Sequence, residues 1–158
     1  MKPNILSEFT DQIQTVCGPN RRHPVLWVLG APIVGKSYLC RQAAQVKGWH
    51  YINYTLDLGF LDSLIGREQT YQPEDAHYDI CTWCRQSSSA VMILDDIDPL
   101  LMLWSSSEQQ QFYAKVSKST RSQLHCGLVL VTHIAASSVL IRLLPDDNQQ
   151  RIFMMEQE

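Results

Sequence analysis

The chain has 158 residues, 45% of them hydrophobic and 18% charged, with a formal net charge of −3. This length and composition are typical of one globular domain and exclude a disordered chain. Long apolar runs, such as residues 25–29 and 100–104, are far shorter than the roughly 18 residues that a membrane span requires, so no membrane contact is expected. The small negative charge does not favour the broad basic surface with which many proteins bind nucleic acids.

The N-terminus and the cysteines both bear on the cellular compartment. Residues 1–8 contain an early acid and no apolar run followed by a cleavage site, which favours a cytoplasmic protein over a secreted one. The five cysteines are odd in number and are not spaced like a disulfide framework, which fits a reducing compartment. Cys81 and Cys84 have C-x-x-C spacing but no second ligand pair, so we expect buried helical thiols rather than a zinc or redox site.

The first third of the chain predicts helices and strands in alternation. Apolar side chains at helical spacing over residues 5–16 indicate an N-terminal helix within residues 1–19. The continuous apolar run 25–29 predicts a strand buried on both faces of a parallel sheet, followed by a helix over 36–46 and a strand over 49–56. Four side chains of that helix are expected to face the sheet, namely Tyr38, Leu39, Ala43 and Ala44.

The rest of the chain continues this alternation. Strands are predicted over residues 90–94, 127–131 and 151–155. Helices are predicted over residues 58–65, 75–86, 105–123 and 135–144. Strands that alternate with helices through short connections form a parallel sheet covered on both faces. The fold class is therefore α/β with three layers, in a single domain over residues 1–158.

A phosphate-binding motif lies between the first strand and the helix that follows it. Residues 30–37 match G-x-x-x-x-G-K-[ST] in full, in the strand–loop–helix context that the motif requires. Backbone N–H groups of such a loop, together with the positive end of the helix dipole, bind phosphate oxygens. Lys36 is expected to reach the β and γ phosphates of ATP, and the Ser37 hydroxyl is a suitable ligand for Mg²⁺. The predicted nucleotide-binding residues are Gly30, Ala31, Pro32, Ile33, Val34, Gly35, Lys36, Ser37 and Tyr38.

A second apolar strand, residues 90–94, ends in the two acids Asp95 and Asp96. Parallel sheets bind ligands at the carboxyl ends of their strands, where these acids lie. We therefore predict that Asp95 holds Mg²⁺ through water and that Asp96 polarises the attacking water. The alternative is a pair of turn-forming or helix-capping acids. A chance match in a turn is the corresponding alternative for the phosphate loop, and the presence of both motifs together argues against it.

These motifs, with the later strand that ends in a polar residue, resemble the additional-strand P-loop ATPases and in particular the AAA+ class. The resemblance implies a five-stranded sheet in the spatial order 5-1-4-3-2, with strands numbered along the sequence. It also implies that ATP binds between subunits and that the subunits form a homo-oligomer, either a ring or a helical assembly. Carried over to this chain, Thr132 would sense the γ phosphate, with His133 sharing the role; the alternative is an ordinary β-branched strand residue. Arg142 would be the arginine finger, with Arg151 as second candidate; either is otherwise a surface arginine.

The sequence departs from that class in three places. Asp96 replaces the usual Glu, Ile33 and Val34 replace small residues, and we expect no C-terminal helical lid and no second sensor arginine. A weak ATPase, dependent on neighbouring subunits or partners, follows from these departures. A lidless protein of this size resembles the small P-loop proteins of bacterial BREX phage-exclusion systems. That resemblance implies antiviral defence with partner proteins, including a DNA methyltransferase and larger ATPases, and DNA as a further target.

Three functions remain open at this point. The first is an oligomeric ATPase or ATP-dependent switch, and the second is a scaffold that ATP stabilises without turnover. The third is a nucleotide kinase, which is disfavoured because no Arg-rich lid segment follows the loop. GTP is disfavoured as the ligand because no Asn-Lys-x-Asp motif is present.

Overall fold

The structure is a computed structural model, and it describes residues 4–32, 34–57, 61–144 and 149–155. Within these ranges, no helix combines the length and the apolar character that a transmembrane segment needs.

Five parallel strands form one sheet, in the order β2-β3-β4-β1-β5. The strands are β1 (Val25–Leu29), β2 (His50–Asn53), β3 (Val91–Asp95), β4 (Gly127–Thr132) and β5 (Ile152–Met154). Read from the other edge, this order is 5-1-4-3-2, which confirms the order implied by the resemblance. The register pairs Leu29 with Thr132 and Leu94 with Leu130, so β1, β3 and β4 end at the same edge of the sheet.

Helices cover both faces of the sheet. They are α1 (Ile5–Val16), α2 (Lys36–Lys47), α3 (Pro73–Gln86), α4 (Asp98–Leu101), α5 (Ser106–Ser117), α6 (Arg121–Leu124) and α7 (Ser137–Leu143). Short 3₁₀ turns lie at Asp62–Leu64 and Gln149–Arg151. The three-layer α/β fold is thereby confirmed.

Successive residues of the central strands belong to two separate hydrophobic cores. Trp27 and Leu130 lie in the core shared with α3, α5 and α7, whereas Val28 and Val129 lie in the core shared with α1 and α2. Each buried Val or Leu of this kind contributes roughly 1.5–3 kcal/mol to folding. A strand covered on both faces has no solvent-facing position, which explains why β1, β3 and β4 are apolar nearly throughout.

Several predicted boundaries are wrong, each for a local reason. The strand expected over residues 49–56 ends at Asn53. The side-chain Oδ1 of Asn53 accepts hydrogen bonds from the backbone N–H groups of Thr55 and Leu56, at 3.0 Å each, and these bonds turn the chain. The helix expected over 105–123 is two helices, α5 and α6. The Thr120 N–H donates to Gln123 Oε1 at 2.9 Å and starts the second of them.

Other corrections concern side-chain direction and smaller elements. Tyr38 does not face the sheet but is 53% exposed, whereas Leu39, Ala43 and Ala44 are buried as expected. The helix expected over residues 58–65 corresponds to the 3₁₀ turn Asp62–Leu64, and residues 58–60 lie outside the described ranges. Helix α4 was not predicted from the sequence.

Candidate phosphate-binding site

The loop between β1 and α2 depends on two glycines with positive φ. Gly30 has a φ of 147° and Gly35 a φ of 92°, values that side-chain-bearing residues rarely adopt. Gly30 also lies in close contact with the backbone of Met155, because a Cβ built on Gly30 would be 2.5 Å from the Met155 carbonyl oxygen. Gly35 is the N-cap of α2, so the first N–H groups of that helix face the loop. Ile33, one of the predicted nucleotide-binding residues, lies outside the described ranges.

Lys36 is buried, and its ammonium group lies against the loop. Its Nζ donates to the carbonyl oxygen of Gly30 at 2.8 Å and to that of Ala31. Burial lowers the pKa of Lys36, and the negative charges of Asp98 and Asp95 oppose that shift. The ammonium of Lys36 therefore has two backbone carbonyls as partners and two acids whose charges favour its protonated form.

The remaining described loop residues are exposed or half-buried. Ala31 and Pro32 are exposed, and Val34 and Ser37 are half-buried. Tyr38 is exposed on the first turn of α2. The structure thus places Ser37 in the first turn of α2, one residue after Lys36.

Asp95 is the last residue of β3, and both of its carboxylate oxygens have hydrogen-bond partners. Its Oδ1 accepts the Asp96 backbone N–H at 2.8 Å, and its Oδ2 accepts the hydroxyl of Tyr51. Burial, and then the bond to Asp95, raise the pKa of Tyr51, which keeps that hydroxyl protonated as a donor. Sequence reasoning missed Tyr51. The expected sheet order, which puts the second strand beside the acidic strand, was the signal that could have found it.

Asp96 has a left-handed backbone conformation, with a φ of 58°. Asp tolerates this region better than most residues, but it still carries strain of roughly 1–2 kcal/mol. The Thr55 hydroxyl donates to the Asp96 carbonyl oxygen at 3.3 Å and supports the turn. The side chain of Asp96 is half-buried at the carboxyl edge of the sheet, beside Asp95.

Thr132 and His133 are both held by Asp98. The Thr132 hydroxyl is fully buried and donates to Asp98 Oδ1, and it accepts the Ile134 N–H at 3.0 Å. The His133 backbone N–H donates to the same Oδ1 at 3.2 Å, and its ring Nδ1 lies 2.9 Å from Oδ2. Sequence reasoning assigned no role to Asp98, although it is the third acid in the run of residues 95–98.

The two candidate finger arginines have different environments. Arg142 is exposed on α7, where its Nε donates to the Ser138 carbonyl at 3.3 Å. Arg151 is only 2% exposed, and its guanidinium donates to the carbonyls of Val25 and Ser117. An arginine finger must reach a neighbouring subunit, so of these two residues Arg142 has the required exposure. Arg151 instead ties α5, β1 and the turn before β5 together.

The C-x-x-C pair lies on α3. Cys81 and Cys84 are free thiols and are buried, as expected for helical core residues, and Cys17, Cys40 and Cys126 are buried as well.

Known structures share this arrangement of strands and helices. No protein-family model matches the sequence, and neither does any curated protein. The Walker-type ATPase PABY2304 of Pyrococcus abyssi superimposes with a TM-score of 0.50 and 14% identity, over 94% of this chain and 52% of that one. The AAA domain of FIGL-1, in complex with ADP, superimposes with a TM-score of 0.54 and 13% identity, over 98% of this chain and 53% of that one.

This chain therefore spans about half the length of both structures. At such low identity the likeness shows the fold alone, and the fold is that of the P-loop ATPases.

Proposed function

We propose that this protein binds Mg²⁺–ATP at the carboxyl edge of its sheet and hydrolyses it slowly. The observation that carries the proposal is the geometry of the loop between β1 and α2, where Gly30 and Gly35 have positive φ and the buried Lys36 ammonium donates to the carbonyls of Gly30 and Ala31. Asp95 ends β3 at the same edge of the sheet. In this proposal Lys36 binds the β and γ phosphates, and Ser37 and Asp95 complete the Mg²⁺ site. The carboxylate of Asp96 adds a second negative charge beside the metal.

Magnesium fits the donors available at this edge. The Asp95 carboxylate and the Ser37 hydroxyl are hard oxygen ligands, which Mg²⁺ prefers, and the ion keeps several waters in sites of this kind. Bound there, Mg²⁺ would neutralise charge on the β and γ phosphates. Tyr51 and the Asp96 N–H fix the orientation of the Asp95 carboxylate before any ligand arrives.

The site is proposed to be completed by a second copy of the chain. Arg142 projects from α7 at an exposed position, which fits a residue that stabilises transition-state charge in an adjacent subunit. ATP would then lie between subunits and favour a homo-oligomer. The protein would act as a switch or motor component.

The biological setting that we propose is a bacterial BREX phage-exclusion system, in which the chain would correspond to the small P-loop protein BrxF. This proposal depends on the resemblance of the phosphate loop, which begins Gly30-Ala31-Pro32, to that of these proteins. It implies partner proteins of the defence system in the cytoplasm, with DNA as a further target.

A nucleotide-stabilised scaffold is the second candidate function. It is favoured by Asp96, which is one methylene shorter than the Glu usual in AAA+ proteins. The nucleotide kinase reading has no feature of the described residues in its favour beyond the loop itself.

The test compares wild type with Lys36→Ala and with Lys47→Ala, a control at the exposed last residue of the same helix. Charge-assisted hydrogen bonds contribute about 1.5–3 kcal/mol each, so Lys36→Ala should raise the Kd for Mg²⁺–ATP at least ~10-fold. Lys47→Ala should leave the Kd unchanged. If wild type does not bind Mg²⁺–ATP at millimolar concentration, the proposal is wrong.

Turnover and assembly are measured on the same samples. An oligomer whose mass rises with ATP supports the switch, and ATP binding without turnover supports the scaffold. If Arg142 acts across an interface, Arg142→Ala and Lys36→Ala proteins should each be inactive alone but regain activity when mixed. Mixed subunits that stay inactive would exclude Arg142 as the finger.

A further inference from the structure

The carboxylate of Asp98 organises the end of β4 through two accepted hydrogen bonds and one contact with a histidine ring. Its Oδ1 accepts the Thr132 hydroxyl and the His133 backbone N–H, and its Oδ2 faces the Nδ1 of His133 at 2.9 Å. Asp98 is only 5% exposed, so this carboxylate is fixed by its partners rather than by water. Both oxygens of this carboxylate are therefore engaged by residues 132 and 133 at the end of β4.

Asp98 decides which nitrogen of a neutral His133 ring carries the proton. Because a carboxylate oxygen accepts hydrogen bonds, the proton of a neutral ring lies on Nδ1, which faces Oδ2. The other nitrogen, Nε2, then presents its lone pair. Among the residues that the structure describes, none donates a hydrogen bond to Nε2, and the His133 side chain is 40% exposed. The ring therefore offers a fixed acceptor to solvent.

The same network occupies the hydroxyl of Thr132. Its one proton goes to Asp98, its oxygen accepts the Ile134 N–H, and the residue is fully buried. Direct contact between Thr132 and a γ phosphate would break the bond to Asp98. His133, in contrast, reaches solvent without breaking any of these bonds.

His133 also lies at the right edge of the sheet. Strand β4 runs between β1 and β3, and Leu29 pairs with Thr132, so the chain leaves β4 beside the start of the phosphate loop. The charge of Asp98 acts on Lys36 more strongly than that of Asp95. Asp98 and His133 thus lie between Lys36, which would bind the γ phosphate, and the acids at the end of β3, which would lie at the metal.

We propose that His133 is the general base for ATP hydrolysis in this protein and that Asp98 is its positioning residue. A neutral Nε2 with a free lone pair can accept a hydrogen bond from water but not from an unprotonated phosphate oxygen, which selects water as its partner. The water oxygen forms a bond to the γ phosphorus while the bond to the β–γ bridging oxygen breaks. The water proton passes to Nε2 and then to solvent, leaving ADP and phosphate.

This inference rests on the proposed function, because it needs ATP at the phosphate loop. It moves the water-polarising role from Asp96 to His133. Asp96, with its short side chain and strained backbone, then contributes negative charge near the metal but does not accept the proton from water.

The experiment measures kcat for ATP hydrolysis and, separately, the Kd for a non-hydrolysable ATP analogue with Mg²⁺. The variants are His133→Ala, His133→Gln, Asp98→Asn and Asp96→Asn, with circular dichroism as a check of folding. His50→Ala is the control, because His50 is exposed at the opposite end of the sheet, at the start of β2.

General bases contribute about 10²–10⁴-fold, so His133→Ala should lower kcat at least ~100-fold with an unchanged Kd. Free imidazole should restore part of that activity, because it can enter the space left by the ring. Asp98→Asn should lower kcat with an unchanged Kd and should not respond to imidazole. Asp96→Asn should keep more activity than His133→Ala, and His50→Ala should match wild type.

Each other outcome overturns the inference. Wild-type turnover in His133→Ala, or in His133→Gln should the first variant fail to fold, would show that the ring is not the base. A loss of analogue binding in His133→Ala would make the ring a ligand contact instead. Analogue binding without hydrolysis in wild type would refute the base but leave the proposed binding intact. An absence of analogue binding in wild type would refute both.

Discussion

Replacement of Gly30 by alanine tests how closely the phosphate loop packs against Met155, the residue that follows β5. Gly30 has a φ of 147°, a region populated almost only by glycine. A Cβ at this position would be 2.5 Å from the Met155 carbonyl oxygen and 3.2 Å from Val34 Cγ2. Since the first obstacle is backbone, it cannot be relieved by a change of rotamer.

The destabilisation can be worked out from two contributions. The backbone strain is worth roughly 1–3 kcal/mol. Moving Met155 away also stretches the hydrogen bond from its N–H to the Leu29 carbonyl, now 2.9 Å, and a bond of this kind contributes about 1 kcal/mol. We therefore expect Gly30→Ala to lower the free energy of unfolding by about 2–4 kcal/mol.

Gly48→Ala is the matched control. Gly48 also has a positive φ, 70°, but a Cβ there would meet nothing within 4 Å. This variant should lose only about 1 kcal/mol, the strain of the left-handed conformation. In urea, with an m-value of about 2 kcal/mol per M, the midpoints of the two variants should differ by roughly 1 M. Equal midpoints would refute the close approach of Met155 to Gly30.

Two further predictions concern buried polar groups. Arg151→Met should lower the free energy of unfolding by about 2–4 kcal/mol, because it removes the guanidinium that donates to the carbonyls of Val25 and Ser117. The control is Arg142→Met, at an exposed position, which should change the free energy of unfolding by less than about 0.5 kcal/mol. Similar losses for both, measured by urea unfolding, would contradict the structural role of Arg151. The five buried thiols should react slowly with a thiol reagent in the native protein, and all five should react after unfolding. Burial raises the pKa of Cys17 to about 12, so only a small fraction of this thiol is present as the reactive thiolate. A fast-reacting pair in the native protein would instead point to an accessible C-x-x-C site.

The site divides into a part that short sequence patterns predict and a part that they do not. The loop from Gly30 to Ser37 is contiguous, and its function depends on its own backbone and on the helix that follows, so the motif was sufficient to find it. Asp95 was placed at the carboxyl edge of the sheet for a similar reason, because an acid that follows a buried parallel strand lies at that edge.

Contacts between distant residues were outside the reach of those patterns. Tyr51 and Asp95 are 44 positions apart, and Thr132 and Asp98 are 34 apart. Their pairing depends on which strands are neighbours and on the direction of single side chains. Arg142 and Arg151 were the first and second finger candidates in the sequence, and the structure separates them by burial and by their hydrogen-bond partners.

The sequence by itself thus determined the fold class, the order of the strands, and the position of the loop that we propose binds phosphate. These properties follow from local hydrophobic periodicity and from the backbone freedom of glycine at fixed positions. Only the tertiary structure decided that Asp98 holds Thr132 and orients His133, and that Met155 lies over Gly30. Such contacts form when packing of the sheet brings separate segments within hydrogen-bonding or van der Waals distance, and no local pattern encodes that proximity.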